Sequence, residues 1–355
     1  MAELFGRKMA RPDLLRRVGN LAQVAGIREY TYNSGRADGV RAIAVNTGAL
    51  QYELLPGRCL DVGFASYRGL PVGYISKSGV CHPAFYGKTD PTGFQDNFLA
   101  GVMTTCGLHN IGPASESRGR LNQLHGRVAN IPAEKVGARE VWDGDDCAFH
   151  VDGEVRHSSF YHEDLILRRN VSSRMGEASL RVVDEVENLD FAPSPCVILY
   201  HVQFGFPFLD VNSRLITSPI RKSEARPGTP DAELAGFGRF GPPEDGADES
   251  CFYHAFQSDA RSRAVACLFN PDLGERGMGV YVRYDVRTLP VFVQWKMLRS
   301  REYVCGLEPS SARLDRRGAE EMAANTLAPL EKRRFEVEIG VVEGEDECRK
   351  LVGTR

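Results

Sequence analysis

The residues predict a mainly β protein: one large antiparallel β-sandwich headed by a short N-terminal helical arm. Three observations carry this. From residue 40 to the C-terminus, short apolar stretches alternate with polar positions and are punctuated by Gly, Asn and Pro, the pattern of half-buried strands joined by turns. The 355-residue chain holds 36 Gly and 19 Pro, turn chemistry that favours many short strands over long helices. The strand candidates also follow one another without regular intervening helices, which argues against a parallel βαβ sheet. No shift of composition divides the chain, so it reads as an arm over 1–35 and a single domain over 36–355.

Taken in order, residues 8–27 read as one helix and a turn. Leu14, Leu15, Val18, Leu21 and Val24 recur at helical spacing, Asp13 after Pro12 suits a first turn, and Gly26 is a natural stop. Strands follow over 40–45 and 50–55, joined by Asn46-Thr47-Gly48. Residues 165–172 and 180–187 read as two strands of a hairpin turning at 174–177. In the second, Leu180, Val182, Asp184 and Val186 share a face, so one acid interrupts an aliphatic row. Further strands are expected over 265–270, 279–285, 291–297 and 335–342. Residues 111–120 and 221–250 read as loops. The second contains Pro227, Pro230, Pro242 and Pro243, and a long irregular excursion of this kind is a surface element or a lid.

Charge and cysteine usage narrow the function classes. With 44 basic against 47 acidic residues the net charge is −3, so the electrostatic footprint of a nucleic-acid binder is missing. The expected partner is a small, uncharged or lightly charged molecule. The nine cysteines are odd in number and form no C-x-x-C pair, which suits buried reduced thiols in the cytoplasm better than a disulfide framework or a structural zinc site. The N-terminus, Met-Ala-Glu-Leu-Phe-Gly-Arg-Lys, lacks the apolar core of a signal peptide, and no apolar run is long enough for a membrane helix. Neither G-x-S-x-G nor a glycine-rich phosphate loop occurs, which weighs against a serine hydrolase and a nucleotide-dependent enzyme.

The candidate chemistry lies in histidines, one glutamate and several aromatics. His201 interrupts the apolar run Val197-Ile198-Leu199-Tyr200-His201-Val202; such an imidazole is a hydrogen-bonded core residue or a proton donor. Glu308 ends an apolar strand, held before Pro309. His125, Arg127, Asn130 and Glu134 fall within ten residues and could bind hydroxyl groups from a loop. His254 follows Tyr253, and Trp295-Lys296 offers an aromatic platform beside a cation, as sugar sites use. Arg41, Arg68 and Arg127 could receive an anionic group or serve as surface ion pairs. No H-x-H or H-E-x-x-H spacing supports a metal site.

The order of these motifs resembles the aldose 1-epimerase (galactose mutarotase-like) superfamily, and within it a bacterial aldose 1-epimerase-like branch. The resemblance spans roughly residues 40–342. It is carried by Met103-Thr104-Thr105-Cys106-Gly107-Leu108, the segment 125–134, Leu199-Tyr200-His201-Val202 with Gly205-Phe206-Pro207, and Gly306-Leu307-Glu308-Pro309. It implies a mutarotase-like supersandwich with a carbohydrate cleft; a carboxylate–imidazole pair there needs no cofactor. It also implies His201 as acid, Glu308 as base and His125 as a sugar-holding residue. Arg68, Arg127, Asn130, Glu134, Tyr253, His254, Trp295 and Lys296 complete the expected substrate-binding set. The chain departs from better-known mutarotases where Arg-Val-Ala-Asn-Ile-Pro-Ala-Glu follows His125-Gly126, and where Tyr253 stands at a position that carries a sugar-binding Asp in them. The expected activity is therefore interconversion of sugar anomers. A sugar isomerase or lyase on the same scaffold, metal-assisted through His125, His201 or His254, and a non-catalytic carbohydrate-binding module are the alternatives.

Overall fold

Period-two alternation resolves into two large antiparallel sheets in the computed structural model, which describes residues 2–87, 89–117, 119–315 and 318–353. Among the described residues, the larger sheet has 11 strands. Its spine runs Ile220–Ala225, Ser250–Phe256, Val291–Arg299, Glu302–Ser310, Val197–Gly205, Met103–Leu108, Asp61–Tyr67, Leu50–Leu55, Arg41–Asn46, Gly26–Thr31. The second sheet has eight, from Glu134–Asp143 at one edge through Asp164–Arg174, Ser179–Asn188 and Lys332–Glu343 to Arg214–Thr217 at the other. Alternate residues of both sheets meet in one core, where Ile198, Tyr200, Val202 and Phe204 pack in the same cluster as Leu165, Leu167, Val182 and Phe335.

The acid in the aliphatic row has a partner across the same hairpin. Asp184, wholly buried, receives Nε of Arg169 at 2.8 Å and Nη2 at 2.7 Å, and the Tyr200 hydroxyl at 2.7 Å. Arg169 also donates to Asp61 Oδ1 at 2.9 Å, to the Cys59 carbonyl at 3.0 Å and to Thr105 Oγ1 at 2.8 Å. Asp61, Thr105 and Tyr200 belong to the larger sheet, so one guanidinium ties the two layers together through the core.

The strands expected over 40–55, 165–187, 265–297 and 335–342 are present, each within two or three residues of its expected bounds. The N-terminal expectation is corrected. Instead of one helix over 8–27 there is a five-residue helix, Arg11–Leu15, then a single 3-10 turn, Leu21–Gln23. Of the apolar row only Leu14 is fully buried, whereas Leu15 is 47% exposed. Asn20 caps the following turn by accepting from the Ala22 amide at 2.9 Å, which starts a new element rather than continuing the old one. Gly26–Thr31 then pairs with Arg41–Asn46, so the sheet begins inside the arm expected over 1–35. Residues 221–225 of the expected loop are an edge strand, and Ser115–Ser117 pairs with Arg120–Asn122. All nine cysteines are buried and free. Among the described residues no helix is long and apolar enough to cross a membrane.

Candidate functional site

Two neighbouring strands of the larger sheet carry the central pair. Val197–Gly205 and Glu302–Ser310 are hydrogen-bonded antiparallel. Because side chains alternate along a strand, Tyr200 and Val202 enter the inter-sheet core while His201 and Gln203 face the other way. Likewise Leu307 is in the core and Glu308 is not. Oε1 of Glu308 lies 3.3 Å from Nδ1 of His201, yet it has no aligned hydrogen-bond partner although buried. Gly306 makes room for it: a Cβ there would collide with that oxygen.

His125 reaches the same place from a loop. Its neighbour Gly126, at φ +70°, packs so close to the Gly107 carbonyl that a Cβ would not fit, which is why a His-Gly pair suits this turn. The Gly112 amide donates to His125 Nδ1 at 3.3 Å, which leaves Nε2 of a neutral ring carrying the proton. The rings of Phe98, Trp295 and His125 stand 5.1, 5.4 and 5.6 Å from His201. Together with Phe94, Arg226 and Glu249 they line a cavity of about 210 Å³. That is below the ~300–1,000 Å³ of drug-sized sites, so the size suits one sugar ring.

Electrostatics in this cavity are set by its dryness. Burial holds the Glu308 carboxyl well above the ordinary range, reinforced by Glu249 and opposed by Arg226. Burial also lowers His201 to about 4, with the Gln203 contact opposing. It lowers His125 as well, aided by His201 and Arg226. Burial thus favours the neutral form of both partners, a protonated carboxyl and an uncharged imidazole.

The structure brings His125, His201, Trp295 and Glu308 together. Tyr253 does not line the cavity: it packs behind it in an apolar cluster with Phe94 and Leu314, its hydroxyl accepting from the Leu314 amide at 3.2 Å. The other expected contacts lie outside this cavity. His254 is one residue out of phase with Tyr253, so it faces Phe237 and Phe256 and bonds Ser223 at 2.7 Å and Gln294 at 3.0 Å. Lys296 alternates away from Trp295 and sits over the Phe240 ring. Arg68 is an exposed ion pair with Glu343 at 2.5 Å, and Arg41 one with Glu29 at 2.9 Å. Arg127 turns from the cavity to His157 at 3.1 Å and Glu163 at 3.0 Å. Asn130 is buried against Asn97 at 3.3 Å, and Glu134 is exposed on an edge strand opposite Glu154. Among the described residues no cluster of three or more His, Cys, Asp or Glu is gathered in metal-binding array.

Sequence reasoning missed Arg226, Glu249 and Gln203. Arg226 and Glu249 flank the Pro-rich excursion, and the Trp295 indole donates to Glu249 at 2.8 Å; their position at the two feet of a long loop was the available signal. Because His254 fills a core position, His254→Ala should cost about 2–3 kcal/mol of stability and leave any sugar turnover unchanged. Urea unfolding beside an activity assay checks both.

The fold is that of galactose mutarotase-like proteins. A candidate aldose 1-epimerase from Klebsiella pneumoniae superposes with a TM-score of 0.85 at 22% identity, covering 94% of this chain and 89% of that one. A galactose mutarotase-like protein from Clostridium acetobutylicum gives 0.62 at 14% identity over 90% of this chain and 99% of that one. Galactose 1-epimerase from Lactobacillus acidophilus gives 0.58 at 13% identity over 90% and 100%. No curated protein sequence matches. A family model described as a domain of unknown function, DUF4432, matches residues 37–341, and the chain belongs to that family.

Proposed function

We propose that the protein is an aldose 1-epimerase that interconverts the anomers of a monosaccharide in the cytoplasm, with residues 36–355 as one carbohydrate-active domain. One observation carries this reading: His201 and Glu308, 3.3 Å apart on adjacent strands, form the floor of a sugar-sized cavity. Anomerisation needs a group that takes the proton of the C1 hydroxyl and a group that protonates the ring oxygen. The ring opens, the C1–C2 bond rotates, and closure on the other face inverts C1. A carboxyl and an imidazole meet that demand without a cofactor. His125 Nε2–H, Arg226 and Glu249 supply donors and an acceptor for hydroxyl groups, and Trp295 an apolar wall. The nine free thiols suit a reducing compartment.

The test is NMR exchange of the α and β signals across neutral and acidic aldoses. The expected result is exchange faster than in buffer for at least one sugar. No acceleration for any sugar that binds would refute the epimerase reading and favour a binding module.

A further inference from the structure

The hydrogen bonds of Gln203 determine which ring nitrogen of His201 carries its proton. Gln203 is two residues beyond His201 on the same strand face and is wholly buried. Its Nε2 donates to the Ala100 carbonyl. A carbonyl oxygen accepts only, so this contact fixes the orientation of the amide. Oε1 is thereby turned to His201 Nδ1 at 2.5 Å, and an amide oxygen can only accept. Nδ1 must therefore hold the hydrogen. In a neutral imidazole the other nitrogen is then a bare lone pair. Among the described residues Nε2 of His201 makes no hydrogen bond, and it is not among the buried polar atoms left without a partner; it opens to the cavity that the ring lines.

We infer that Gln203 is a positioning residue that holds His201 in the Nδ1–H form, so that in the free enzyme His201 is the base and Glu308 the acid of ring opening. This rests on the epimerase reading and inverts the roles that the family resemblance implies. Nε2 takes the proton of the C1 hydroxyl as C1=O1 forms. The C1–O5 bond breaks with its electron pair on O5, which takes the Glu308 proton. The pair is left as imidazolium and carboxylate, whose attraction at short range favours the open-chain state. Closure returns both protons. Burial disfavours the charged form of both groups, which supports the same starting state. The charged and titratable groups around the pair are His125, Arg226, Glu249 and the thiols of Cys106, Cys251 and Cys305; of these, Arg226 alone favours ionised Glu308.

The experiment is ¹⁵N NMR of the imidazoles in the sugar-free protein, with Gln203→Met and Gln203→Glu beside wild type. Wild type should show Nδ1 protonated and Nε2 unprotonated for His201. Gln203→Met removes the acceptor at similar length, so the ring should revert to Nε2–H and kcat should fall about tenfold or more with KM little changed. Gln203→Glu keeps an acceptor and adds charge, so it should retain Nδ1–H and move the acid limb of kcat/KM to higher pH. A residue with only a packing role would move neither the tautomer nor the limb. Finding Nε2–H in wild type overturns the inference even if Gln203→Met fails to fold, and so does Nδ1–H with full kcat in Gln203→Met. The tautomer is read without turnover, so absence of activity on every sugar refutes the epimerase reading instead.

Discussion

Glu308→Gln is expected to lower kcat for anomerisation by about 10²–10⁴-fold, the usual worth of a positioned proton-transfer group, with sugar affinity kept within a few-fold. The amide has the shape of the carboxyl and can still donate a hydrogen bond, but it cannot release a proton to the ring oxygen. If the group acts only in the transition state, kcat and kcat/KM fall together. The pH profile checks the same point from another side. In wild type, activity should fall at low pH as His201 is protonated and at high pH as Glu308 ionises; in Glu308→Gln the alkaline limb should vanish. Wild-type exchange rates in the variant would remove Glu308 from the chemistry.

The second large effect is on stability. Arg169→Met should cost about 3–5 kcal/mol, the scale of breaking a buried ion pair from one side. It strands Asp184, which has 0% exposure, and removes a donor from Asp61. Burial pushes Asp61 upward and Arg169 is the main opposing influence, so its carboxyl should become protonated more readily in the variant. Urea unfolding measures the loss, and the double variant Arg169→Met/Asp184→Asn should recover part of it. A loss below about 1 kcal/mol would show that the layers do not depend on this contact.

The network also explains what could be read from the residues and what could not. Leu180, Val182 and Val186 announced a buried face because aliphatic alternation depends only on the strand's own periodicity. Asp184 in that row was anomalous until Arg169, on the facing strand of the hairpin, was seen beside it. His201 and Glu308 were legible from local context, an imidazole inside an apolar strand and a carboxylate before Pro309. That they sit 3.3 Å apart is a matter of strand order, since they are 107 residues apart in the chain. His254 shows the opposite failure: its aromatic context resembles a site, but one step of register places it in the core. The expected helix over 8–27 failed because helical spacing does not require a helix: Leu14, Val18, Leu21 and Val24 all reach the core, but from a short helix and a separate turn.

Gly306 has a consequence for how this scaffold can change. Since it leaves the space beside it empty, the Glu308 carboxyl folds back along its own strand instead of standing clear of the sheet. The separation of Glu308 from His201 is therefore set by the spacing of two neighbouring strands. Arg226 and Glu249 are held differently, at the feet of the excursion between residues 226 and 249, where the Arg226 amide donates to the Cys251 carbonyl and the Trp295 indole to Glu249. On the epimerase reading, the reacting pair and the loop-borne groups beside it are thus separable inheritances. One can be kept while the other is rewritten, so relatives could share a reaction and differ in diet.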